Sequence, residues 1–102
     1  MLISEFIDRT GYRPTDREYH SVIEPAYYVY PHDKDSFCHQ WLLKRLQTVR
    51  EYLAGFEKRM LKGEKLSEIS EEGYRVACQM HSTFSEKLAT LHSKIYGNNH
   101  NA

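Results

Sequence analysis

Residues 42–60, Leu-Leu-Lys-Arg-Leu-Gln-Thr-Val-Arg-Glu-Tyr-Leu-Ala-Gly-Phe-Glu-Lys-Arg-Met, decide the fold class. Leu42, Leu46, Val49, Leu53, Phe56 and Met60 recur at steps of four, three, four, three and four. That is a period of about 3.5 residues, the signature of a helix lying along a partner helix. Downstream, Gly63 offers a stop, and Glu64-Lys65-Leu66-Ser67 is short enough to return the chain antiparallel. Ala77, Met80, Phe84, Leu88, Leu91 and Ile95 then repeat the pattern. The spacing predicts a long helical hairpin over residues 36–62 and 68–96, with Ser67 or Ser70 capping the second helix and Gly97 ending it. Each helix of about 25 residues spans roughly 38 Å. Residues 98–102 read as a disordered tail.

Upstream, no period-2 stretch is convincing, so the whole chain reads as all-α, a single helical domain over residues 1–97. Ser4 suits an N-cap for a short helix ending before Gly11, and Thr15 with Glu18 matches a capping box for a second helix from Asp16. Pro25 predicts a kink or break in that helix. Tyr27-Tyr28-Val29-Tyr30 reads equally as helix or as extended chain, with Pro31-His32 ending it and Asp33 or Asp35 capping the next helix. These short helices, residues 1–32, are expected to pack across the hairpin.

The chain has 102 residues, 40% of them hydrophobic and 13% aromatic, with 14 basic and 14 acidic side chains. Wholesale disorder is excluded by the aromatic content, and a globally charged nucleic-acid or membrane binder by the zero balance. No apolar run approaches the roughly 20 residues of a membrane span, and the first residues lack the pattern of a signal peptide. With only Cys38 and Cys78, the expectation is a reducing, cytoplasmic setting.

Glu5-Phe6-Ile7, Thr10-Gly11, Pro14-Thr15, Glu18-Tyr19 and, above all, Asp33-Lys34-Asp35, Phe37-Cys38 and Trp41 resemble an N-terminal pattern of small uncharacterised bacterial proteins associated with phages and mobile elements. The likeness covers about the first 41 residues, with DKDxFCxxW as its most specific part. It implies an origin and a fold fragment and carries no catalytic residue across.

Candidate chemistry is thin. Asp33-Lys34-Asp35 opens like a calcium loop, but Phe37, Cys38 and Lys44 stand where an oxygen ligand, a glycine and a glutamate are required. Cys38, His39, Cys78, His81 and His92 are soft ligands. A turn near residue 65 sets Cys38 level with the His92 region but parts the two cysteines by about 14 residues, roughly 21 Å, which excludes a disulfide. Cys38, His39 and His92 are the only such set that the register allows to meet. Cys78 and His81 share a helix face without an orienting third group. The reading therefore assigns no catalytic, cofactor-binding or metal residue and expects a protein that is not an enzyme.

Two binding readings are left. Tyr27, Tyr28, Tyr30 and Trp41 suit either core cover or a protein interface. Residues 1–40 carry four basic and seven acidic side chains, a balance of −3, whereas 41–65 carry seven and three, a balance of +4. A nucleic-acid-binding accessory role would use Lys44, Arg45, Arg50, Lys58 and Arg59 of that basic helix. The preferred expectation is a non-enzymatic interaction or assembly module. Because Leu43, Tyr52, Leu61, Tyr74, Val76 and Leu88 widen the apolar faces beside the seams, it is expected to form a homodimer in a four-helix arrangement.

Overall fold

The computed structural model describes residues 1–29, 33–65 and 68–97; Tyr30, Pro31, His32, Leu66, Ser67 and the expected 98–102 tail lie outside them. All regular structure among the described residues is helical. Helix α1 is Ile3–Thr10, and α2 runs through three consecutive segments, Asp16–Glu18, Tyr19–Ile23 and Glu24–Val29. The hairpin helices are α3, Lys34–Leu61, and α4, Glu68–Tyr96. The all-α hairpin read from the periodicity is thus the observed architecture.

The N-cap of α1 is Leu2, not Ser4. Glu5 decides this, because its carboxylate reaches back to accept the Leu2 N–H at 2.7 Å and occupies one of the four donors that a helix start leaves open. That hydrogen bond, followed by the Lys34 ammonium, holds the Glu5 carboxyl below its ordinary pKa. Gly11 ends the helix in the left-handed conformation, φ 73°, donating to the Ile7 carbonyl at 2.8 Å. Buried Thr10 is satisfied locally: its hydroxyl donates to the Phe6 carbonyl and accepts from the Tyr12 N–H.

Thr15 caps α2 by accepting the Glu18 N–H at 3.1 Å. The Glu18 side chain does not turn back to complete a box, since it accepts from the Tyr12 hydroxyl at 2.7 Å and faces Arg45 at 3.7 Å. Pro25 does not break the helix. Its missing N–H and its ring are accommodated by a π turn over Tyr19–Ile23, where the Glu24 N–H reaches the Tyr19 carbonyl five residues back. Helical structure then continues to Val29, so Tyr27-Tyr28-Val29 is not extended.

Asp33 caps α3, accepting the Ser36 N–H and hydroxyl at 2.9 Å each, which draws its pKa down and starts the helix two residues before the expected position. Gly63, φ 78°, turns the chain out of α3. The hairpin register matches a turn near residue 65, with Phe56 against Tyr74 and Trp41 against Phe84.

Helix α1 lies across the open half of the hairpin. Phe6, fully buried, inserts between Tyr19 and Trp41, its ring centroid 6.1 and 4.9 Å from theirs. Cys38, Leu42, Leu46, Phe84 and Leu91 complete the core. Arg9 to Asp35 at 2.8 Å, Lys34 to Glu5, and Lys87 to the Asp8 carbonyl at 3.0 Å tie its rim. The result is flat, 51 × 38 × 19 Å, with a radius of gyration of 16.3 Å. A compact chain of this length gives about 13 Å.

Candidate interaction surface

Where α1 ends, the cover over α3 and α4 stops. Gly11 directs Tyr12 down onto the hairpin, and its ring lies 5.3 Å from that of Trp41. The Arg45 guanidinium packs at 5.0 Å from both ring centroids, in cation–π contact with each, while Glu18 faces it from α2. Its Nε–H is buried without an acceptor among the described residues. Burial, then the hydrogen bond to Glu18, raises the Tyr12 hydroxyl above its ordinary pKa.

Beyond this stack opens a groove of about 500 Å³ between the hairpin helices, walled by Val49, Tyr52, Val76, Ala77 and Met80. Tyr52 is 48% and Val76 41% exposed. A second groove, about 520 Å³, includes His39, Leu43, Arg50, Leu88 and His92 and takes no residue from α1 or α2. Arg45 and Arg50, five residues apart on one helix, are rotated by about 140° from each other and so flank the buried seam on its two sides.

The residues singled out in the sequence separate accordingly. Trp41 is interior to a cluster with Phe6, Tyr12 and Phe84. Tyr27 packs on Phe37 at 5.3 Å and touches Tyr28, which is 65% exposed. Neither ring pairs with Trp41 among the described residues, and Tyr30 lies outside them. Of the basic set, Arg45 is engaged by Glu18 and two rings, and Arg59 by Glu64 at 2.9 Å. Lys44, Arg50 and Lys58 are exposed. The five do not make one stripe. The Tyr12–Arg45–Trp41 stack was not legible in the sequence, because it joins a loop to a helix 33 residues away.

Cys38 and His39 diverge. Cys38 is fully buried, with Sγ 3.9 Å from the Met1 sulfur, whereas His39 reaches His92. No group of three His, Cys, Asp or Glu side chains is arranged to hold a metal among the described residues. Burial pushes the Cys38 thiol up to about 12, while Cys78 is exposed. Only a thiolate attacks alkylating reagents. Iodoacetamide at pH 8 is therefore expected to modify one thiol, Cys78, with Cys38 reacting only after urea unfolding, as mass spectrometry of digests will report. Prompt modification of Cys38 would contradict its burial.

Among the described residues no helix is long and apolar enough to cross a membrane. Compared with protein-family models, curated proteins and solved structures, the chain matches none.

Proposed function

We propose that this protein is a non-enzymatic interaction module that assembles by self-association, two copies packing hairpin to hairpin about a two-fold axis. One observation carries the reading: the apolar groove at the edge of the α1 cover, where Tyr52 and Val76 are each more than two-fifths exposed. The area supports a second copy as occupant. Leu43, Tyr52, Met60, Leu61 and Val76 of the hairpin are all exposed, apolar area that a second copy would cover. A two-fold arrangement sets like against like, and tyrosine and aliphatic side chains are suited to that. The resemblance of residues 5–41 to phage-associated proteins is the ground for a phage or mobile-element origin.

Sedimentation from low to high micromolar concentration tests this. The expected result is a mass rising from about 12 kDa to twice that value. Tyr52→Glu is expected to weaken the dimer at least tenfold, as removal of a central aromatic anchor does, with helical circular dichroism retained. A 12 kDa species at every concentration would overturn the reading. Salt-dependent binding of DNA by that monomer, lost on replacing Lys44 and Arg50, would favour the nucleic-acid role instead.

A further inference from the structure

At the open end of the hairpin, His39 of α3 and His92 of α4 stand level, their ring centroids 6.0 Å apart and their planes inclined by 30°. The Tyr96 ring flanks both, 4.8 Å from His92 and 6.3 Å from His39. Neither imidazole has a hydrogen-bond or ion-pair partner among the described residues. Two adjacent imidazoles on different helices, with unengaged nitrogens, form a bidentate donor set. We propose that His39 and His92 bind one divalent transition-metal ion of the class that favours imidazole, Ni²⁺, Cu²⁺ or Zn²⁺, and so clamp α3 to α4.

Geometry supports the proposal first. With metal–nitrogen bonds of about 2.0–2.1 Å and a tetrahedral angle, two imidazoles on one ion have centroids about 5.2 Å apart. The observed pair must close by less than about 1 Å, within reach of the broad final torsion of histidine. Chemistry agrees. Imidazole nitrogen is a ligand type that suits Ni²⁺, Cu²⁺ and Zn²⁺ alike. Arg50, the cation that shares this groove, is eleven residues along α3 from His39, about 16 Å away, too far to repel the ion strongly. His92 is exposed, which leaves the other coordination positions to water. With two protein ligands, the site is an exchangeable clamp and not a closed structural zinc centre. It needs one copy of the chain and is independent of self-association.

Ni²⁺ alone is the probe, titrated calorimetrically into the full chain at neutral pH. One equivalent is expected to bind, with affinity falling at least tenfold in His39→Gln and again in His92→Gln, and unchanged in a His20→Gln/His81→Gln control. Paramagnetic broadening in wild-type protein is expected to reach the His39 and His92 ring protons together before those of His81, a readout that requires no variant to fold. Equal affinity in wild type and His92→Gln, or broadening centred on His20 or His81, would overturn the site.

Discussion

Phe6→Ala is expected to lower the unfolding free energy by about 3–5 kcal/mol, the cost of an aromatic cavity that its surroundings cannot collapse into. Phe6 is wholly inaccessible, and its ring is where α1, α2 and the hairpin meet, through Tyr19 on one side and Trp41 on the other. Helix α1 has only 8 residues, too few to persist alone in water. Truncation therefore removes burial and also releases the element that covers the upper half of the hairpin. For a chain of about 100 residues this corresponds to a fall in Tm of at least about 12 °C. Urea titration followed by circular dichroism measures it, with Leu2→Ala, at a site 67% exposed, as a reference expected within about 0.5 kcal/mol of wild type. A Phe6→Ala loss below about 1.5 kcal/mol would mean that α1 is not docked as described.

Gly11→Ala carries the second large effect, expected at about 2–3 kcal/mol, and here two causes can be separated. A side chain at φ 73° costs about 1–2 kcal/mol because Cβ crowds the following carbonyl. In addition, a Cβ at Gly11 would lie 2.6 Å from Cγ2 of Thr83, a side chain confined to about two χ1 rotamers on a helix. Gly63 supplies the comparison: φ is 78°, yet nothing lies within 4 Å of the position a Cβ would take. Gly63→Ala should show the conformational cost alone, near 1 kcal/mol. Introducing Thr83→Ser, which deletes the clashing methyl, should recover part of the Gly11→Ala loss and leave Gly63→Ala unchanged. Equal losses at the two glycines, with no rescue by Thr83→Ser, would remove the close approach of the α1 terminus to α4 from the account.

The hairpin and its register were legible because they rest on short-range rules. Leu42, Leu46, Val49 and Phe56 are buried as their spacing requires, and Phe84 and Leu91 answer them on α4. Asp33 and Thr15 cap, and Gly11 and Gly63 stop, for reasons contained within four residues of each. The failures are also local choices, but ones with near-equal alternatives. Ser4 is an apt cap by residue type, and Leu2 displaced it because a carboxylate three residues further on satisfies the exposed donor equally well. Pro25 announced an interruption, while whether the chain broke or widened into a π turn depended on the neighbours it could bury, Tyr19 and Ile23 among them.

Composition and periodicity thus determined, by themselves, that this chain is helical, where its two long helices run and most of the residues of their seam, Met60 being the exposed exception. Those properties follow from backbone geometry and the removal of apolar area from water, which act residue by residue along the sequence. Only the tertiary structure decided which face of the hairpin α1 covers and where that cover ends. Adjacent residues on a helix point about 100° apart, so Cys38 enters the core under Met1 while its neighbour His39 emerges beside His92. Arg45, one of five candidate phosphate ligands by sequence, came to pack against both Tyr12 and Trp41 for the same reason. Such outcomes depend on the relative placement of elements tens of residues apart, and no window of sequence contains it.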